Sequence, residues 1–381
     1  MRILYCANDP VPFPKGAGRR IEATVRALHG QGARVTLVTP VQNSQTERLT
    51  DVPHQTIEVG SGQDPFIDRA LRFRRGVEEI LGQGGWDVFW FRSPWEGWAA
   101  QRTGYHGLSV YEAHGFPSIE LPHHFPDLRE QSQFLGRLAY EEQVLLTSAQ
   151  RVLTPSRTGL RFLRSRGVAA EQVVVIPNTV PEEAFLERQY QVSQPLRLIY
   201  TGTLAPWQGL DLLLEALLHL KNKLEFRLEL VGTRKGRWTR PLRALAQQMR
   251  VRSHIEFSGP FPLAELRQRL LQADIAMVPL PADPRNTVQG CCPIKLVEFM
   301  AAAMPIVSTR LPVVEELVRH QESAWLVRPN SPWALAQGIL HLAQDASLRQ
   351  RLGEEARTQA RSRFHRARFE EQLGQLLGEL G

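Results

Sequence analysis

Short apolar runs alternate along the chain with amphipathic stretches of helical period. In the first half the pattern predicts strands over residues 2–7, 34–39, 88–91, 109–113, 151–154 and 173–176. A helix over 19–30 sets Ile21, Val25 and Leu28 on one face. The pattern pauses at Pro177-Asn178-Thr179-Val180-Pro181 and through the polar run that ends at Pro195. It resumes with strands over 197–201, 227–231, 255–258, 275–279 and 306–308, and with helices over 210–220, 241–249, 263–272 and 294–303. Strands alternating with helices predict an α/β protein whose parallel sheets carry helices on both sides. Two Rossmann-like domains of similar size are expected, 1–180 and 181–362, with a C-terminal helix at about 363–381 packed back on the first.

Composition narrows the class. At 381 residues, 43% hydrophobic and 22% charged, the chain reads as soluble and globular and not as disordered. No apolar run reaches the roughly 18 to 20 residues that cross a bilayer, and the opening strand lacks the long apolar region of a signal peptide. Cys6, Cys291 and Cys292 are odd in number, with two adjacent, so a disulfide framework is not expected and a cytoplasmic location is. A formal charge of +7 favours anionic partners. Arg69, Arg72, Arg74 and Arg75 interleave with Phe66, Ile67, Leu71 and Phe73, a pattern that reads either as an interfacial helix in peripheral contact with the inner face of a membrane or as a basic solvent face. Arg234, Lys235, Arg237 and Arg240 with Trp238 form a second basic stretch; no nucleic-acid motif accompanies either.

The richest segment runs from Cys292-Pro293-Ile294-Lys295 through Glu298 to Pro305-Ile306-Val307-Ser308. Three residues apart on a helix, Lys295 and Glu298 project from one face. A cation beside a carboxylate suits a ligand with phosphates and sugar hydroxyls; a surface ion pair is the plainer alternative. Gly16 and Gly18 stand between a strand and a helix, but Ile21 occupies the third glycine position of the dinucleotide fingerprint, which argues against an NAD enzyme. At most one of Arg19 and Arg20 is expected to face a ligand. His114 follows the strand at 109–113, where a ligand would sit, and Glu112 is expected to point elsewhere. His123 and His124 are expected in a Pro-rich loop, with Asp127 four places beyond His123; no third ligand is evident, so no metal site is expected. Trp90 and Trp98 read as packing residues, whereas Trp95 in the loop Ser93-Pro94-Trp95, with Arg92, is the best acceptor-binding candidate.

Taken in order, several segments resemble the GT-B-fold retaining glycosyltransferases of family 4, the glycosyl transferases group 1. They are Gly16-Ala17-Gly18-Arg19-Arg20, Ile176-Pro177-Asn178-Thr179-Val180, the run from Tyr200-Thr201-Gly202-Thr203 to Gln208-Gly209-Leu210-Asp211, Leu230-Val231-Gly232, Phe257-Ser258-Gly259, the run Ala273 to Leu280, and Cys292 to Ser308. The resemblance implies two Rossmann-like domains facing across a cleft and hexosyl transfer, metal-independent and without a cofactor, from a nucleotide-sugar donor to a glycan, lipid-linked or small-molecule acceptor, as in cell-envelope polysaccharide synthesis. It makes Glu298 the ribose ligand. It places Gly290 where the family's other glutamate stands, so that Gly290, Cys291 and Cys292 would offer backbone N–H groups to the donor. Thr203 and Gln208 occupy the positions of the family's basic pair; Lys295 is the expected replacement, and Arg234 and Lys235 either add charge for the donor or form a basic surface loop. Gly16, Gly18 and Gly202 line the donor loops, and His114 and Lys295 are the expected catalytic residues. The departures at Gly290, Thr203 and Gln208 motivate an alternative, a non-catalytic family member acting as a binding or regulatory partner.

Overall fold

The computed structural model describes residues 1–11, 16–41, 49–190, 193–232 and 236–381, which fall into two compact units. The first unit comprises Met1–Pro177, Val288–Cys291 and Ala367–Gly381. Its sheet contains β1 (Arg2–Cys6), β2 (Arg34–Val41), β3 (His54–Glu58), β4 (Val88–Phe91), β5 (Leu108–Glu112), β6 (Arg151–Thr154) and β7 (Val173–Val175). All pair in parallel, in the order β3-β2-β1-β4-β5-β6-β7. The side chains of β4 are all buried, as a strand covered on both faces requires. One face packs under the helix Gly16–Gly30 and the terminal helix Arg366–Leu380, whose Phe369, Leu373 and Leu376 join Ile3, Tyr5 and Trp90 in one core. The other face packs Phe89, Phe91 and Tyr111 against Phe73, Val77 and Leu145 of the helices Phe66–Gly82 and Ser132–Ser148.

The second unit comprises Asn178–Thr287 and Cys292–Arg366. Its sheet holds β8 (Leu196–Thr201), β9 (Phe226–Val231), β10 (Ile255–Ser258), β11 (Ile275–Val278), β12 (Ile306–Thr309) and β13 (Trp325–Val327), in the order β10-β9-β8-β11-β12-β13. Each sheet reverses its winding direction once, between β1 and β4 in the first unit and between β8 and β11 in the second. Open parallel sheets bind ligands at the carboxyl ends of the strands beside that reversal. Both clusters described below lie there.

Several expectations need correction. Residues 93–95 are not a loop: a helix spans Pro94–Thr103, begun by Ser93 as N-cap and by proline in its first turn. His123 and His124 end a second helix, Pro117–His124. Strands β3 and β13 are additional to those expected.

Candidate active site

In the first unit the site is built around Glu112, the last residue of β5, whose side chain is fully buried. Its Oε1 accepts hydrogen bonds from Arg20 Nε (2.8 Å) and His114 Nε2 (2.9 Å). Its Oε2 accepts from Tyr5 Oη (2.7 Å) and Trp90 Nε1 (3.1 Å). The expectation that Glu112 points away from His114 is therefore overturned. The Ala113 N–H bonds Leu153 O at 2.8 Å, so the chain stays extended past β5, and residues two apart share a face. Burial by itself would raise the Glu112 pKa; the charges of Arg20 and Arg92 and the His114 hydrogen bond outweigh it and hold the carboxyl well below the usual range.

Glu112 decides the state of its neighbour. A carboxylate only accepts, so His114 Nε2 carries the proton and Nδ1 carries the lone pair. Burial first, then the nearby positive charges, pushes the His114 pKa down to about 4, so the ring is neutral at physiological pH. It is 20% exposed, enough to be reached from solvent. Arg20 completes the hub: it donates to Pro177 O at 2.7 Å and lies 4.4 Å from the centre of the Phe369 ring. Of the adjacent arginines, Arg20 is thus the buried one.

Arg92, directly after β4, is 9% exposed, with Nη1 3.8 Å from Asp9 Oδ2 across the reversal of the sheet. Its Nε and Nη1 are buried without a hydrogen-bond partner among the described residues. Trp95 is only 5% exposed and packs edge-to-face on Phe66, 5.9 Å between ring centres. It belongs to a satellite core with Leu121 and Leu138, so its ring has no open face to stack on a sugar. Gly18 is buried and Gly16 half-buried at the start of their helix; the loop before them lies outside the described residues.

In the second unit Lys295 is the second residue of the helix Ile294–Ala301 and 8% exposed. Its Nζ donates to Tyr200 Oη at 2.6 Å and Gln208 Oε1 at 2.5 Å, and lies 4.0 Å from the centre of the Tyr200 ring. Tyr200 Oη in turn donates to Thr203 O at 2.8 Å. Gly202, between these groups, has φ +126°, and a Cβ there would sit 3.3 Å from Lys295 Cε and Nζ. Glycine is required by the backbone and by the lysine together. Glu298 lies one turn beyond Lys295, half-buried in a helix whose neighbouring residues Val297 and Phe299 are fully buried. Thr203 is exposed. The structure thus brings Gly202, Thr203, Gln208 and Lys295 into one cluster. Tyr200, which links them, is the residue that sequence reasoning missed.

Gly290 and Cys291 belong to the first unit and Cys292 to the second. Gly290 has φ +83°, and a Cβ there would meet Gly159 N at 2.4 Å and Ser156 Oγ at 2.8 Å. The close approach its glycine permits is made to the start of the helix Arg157–Ser165. Beside it, Gln289 donates to Glu120 Oε1 at 3.0 Å and accepts from the Phe116 N–H at 3.3 Å. Cys292 O accepts from Asn178 Nδ2 at 2.7 Å. Arg234 and Lys235 lie outside the described residues. In the basic helix Phe66–Gly82, Phe73 is fully buried, Phe66 and Ile67 pack on the satellite core, and Arg72 bonds Asp64 at 2.9 Å. Among the described residues no helix is long and apolar enough to cross a membrane.

Residues 15–179 match the glycosyl transferase 4-like domain and residues 183–359 match the glycosyl transferases group 1 family, so each unit has its own match. WcaL of Salmonella typhimurium, provisionally named a colanic acid biosynthesis glycosyltransferase, is 29% identical over 64% of this chain and 60% of its own length. The chain therefore spans little more than half the length of the first curated relatives it matches. Sucrose-phosphate synthase from Thermosynechococcus elongatus superposes with a TM-score of 0.84 at 18% identity, over 100% of this chain and 99% of its own. Anabaena HepE, solved with UDP-glucose, gives a TM-score of 0.76 at 18% identity, over 100% of each chain. With the fold, the order of its parts and both family matches in agreement, the chain belongs to the GT-B glycosyltransferases of the group 1 and 4-like type.

Proposed function

We propose that this chain transfers a sugar from a nucleotide-diphosphate sugar to a glycan or lipid-linked acceptor, with retention at the anomeric carbon and without a metal. The observation that carries the reading is the Lys295 cluster. A buried cation is held by Tyr200 and Gln208 at the carboxyl end of β8, against a glycine that leaves its backbone open to close approach. Charge grows on the diphosphate as its bond to the sugar breaks, and a preorganised ammonium stabilises that charge. Lys295 replaces the cations absent at Thr203 and Gln208, and Gln208 serves by fixing the lysine.

Glu298, one helical turn away, accepts hydrogen bonds from the ribose diol. The lone pair on His114 Nδ1 accepts from a sugar hydroxyl, and Glu112 keeps that nitrogen unprotonated. A neutral ring with its pKa near 4 is suited to positioning the donor and not to delivering a proton. The acceptor oxygen forms its bond to the anomeric carbon as the carbon–phosphate-oxygen bond breaks on the same face, and the acceptor proton passes to the leaving phosphate. A hexose donor carried on uridine is supported by the HepE complex, and a cell-envelope polysaccharide product by the naming of WcaL. Three cysteines in 381 residues, Cys6, Cys291 and Cys292, all of them buried, suit the cytoplasm. Peripheral membrane contact would rest on the arginines of Phe66–Gly82, because Phe66, Ile67 and Phe73 pack in the protein's own core.

The test is transfer from a panel of nucleotide sugars to a pool of glycan and lipid-linked acceptors in excess EDTA, with the product's anomeric configuration read by NMR. Retention with undiminished rate supports the proposal. Inversion, or loss of turnover in EDTA, overturns it.

A further inference from the structure

The second unit contains a cavity of about 250 Å³ among whose lining residues are Arg188, Ser193, Arg197, Asp274 and Arg349. We infer that it is a binding site for phosphate or a small phosphate monoester, separate from the Lys295 cluster. Arg197 is the second residue of β8 and Asp274 directly precedes β11, so the cavity sits at the amino ends of the strands. Lys295 meets Tyr200 near the carboxyl end of the same β8. Three residues of extended chain separate Arg197 from Tyr200, about 10 Å.

Charge and unmet hydrogen bonding identify the ligand. Arg349 is 1% exposed; its Nη1 donates to Leu342 O and Ala343 O, while Nη2 is buried without a partner among the described residues. Arg188 donates through Nη1 and Nη2 to Ala273 O and Leu270 O, and its Nε is likewise buried without a partner. Among the described residues of the lining, Asp274 is the one carboxylate, against three guanidinium groups. Its oxygens already accept from the Ser193 N–H, the Ser193 hydroxyl and the Arg197 N–H.

A buried donor without an acceptor costs about 1 to 3 kcal/mol, and two such donors belong to side chains of one cavity lining. Water would answer the hydrogen bonds but not the excess charge. Burial pulls the pKa values of both Arg188 and Arg349 down, although Asp274 acts on both, and Asp345 on Arg349, in the opposite sense. An oxyanion supplies acceptors and charge together, and guanidinium geometry matches phosphate. The volume admits a phosphate with a small substituent and excludes a nucleotide sugar in full.

The site is independent of the proposed transfer reaction and is tested without it. Inorganic phosphate is titrated calorimetrically into the full chain, at ionic strength held constant with chloride. The variants are Arg197→Ala, Arg349→Met and Lys295→Met, each checked for folding by circular dichroism. Arg197 is exposed, so Arg197→Ala keeps the test valid should Arg349→Met misfold. The expected result is one phosphate bound by wild type and by Lys295→Met alike, with affinity at least about tenfold weaker in the arginine variants. Absence of phosphate binding overturns the inference. So does binding unchanged in Arg197→Ala and in folded Arg349→Met, or binding lost only in Lys295→Met, which would place the ion beside that lysine.

Discussion

Replacing Glu112 by glutamine keeps the shape of the buried hub and removes its charge. The four donors on Glu112 determine the consequence. If the amide oxygen takes the Oε1 place, Arg20 and His114 keep an acceptor, and the NH2 group faces the Trp90 N–H, which can only donate. If it takes the Oε2 place, the NH2 group faces the Arg20 Nε–H instead. Neither orientation avoids a clash of donors, and in both the Arg20 guanidinium, 2% exposed, loses its counter-charge. Breaking a buried pair from one side costs about 3 to 5 kcal/mol. Urea unfolding of wild type, Glu112→Gln, Arg20→Met and the double variant measures this. The double variant should be less destabilised than the sum of the single variants, with a coupling of at least about 1.5 kcal/mol. Additive effects, or a Glu112→Gln loss below about 1 kcal/mol, would refute the reasoning, because the hub would then not act as a unit.

Acid should unfold the chain in a window set by His114. Its pKa is about 4 in the fold against 6.5 for the free group, so between those values the unfolded state binds a proton that the folded state does not. Stability then rises with pH across the window, by up to about 3 kcal/mol, and the slope should flatten in His114→Asn when unfolding is followed from pH 4 to 7. Below the window Glu112 acts in the same direction, since its carboxylate is favoured by the fold. Gly202→Ala combines an unfavourable φ with crowding of Lys295; a loss of about 1 to 3 kcal/mol is expected, together with weaker nucleotide binding by calorimetry. Trp95→Ala should lower stability by about 3 to 5 kcal/mol in the same urea assay, and a change in acceptor KM without a stability loss would contradict its placement in a core.

The strands were the most readable part of the sequence. Runs such as Val88–Phe91 are apolar throughout because helices cover both faces. The half-exposed edge strand His54–Glu58 carries no such run and was not legible. The helix at Pro94 was misread although its signal was present. Ser93 and Glu96 stand in the capping-box spacing, and Glu96 accepts from the Arg92 and Ser93 N–H groups at 3.1 and 3.0 Å. Glu112 could have been paired with His114 from strand periodicity alone. That Tyr5, Arg20 and Trp90 converge on the same carboxylate could not, because the partners lie 107, 92 and 22 residues away in sequence. Tyr200 stood within a motif segment, but its contact with Lys295 spans 95 residues. Gly290 is expected from the sequence to offer its backbone N–H to the donor; that Gly159 packs against it depends on a return of the chain that no local pattern encodes.

The central claim is that Lys295 and Glu298 hold the nucleotide of a sugar donor. The most direct test is a calorimetric titration of UDP, GDP, ADP and their sugars into wild type, Lys295→Met and Glu298→Ala. The account predicts that one nucleotide binds the wild type and that each variant binds it at least about tenfold more weakly, as expected for loss of a charge-assisted contact. Failure of every nucleotide to bind, or binding unchanged in both variants, would contradict it.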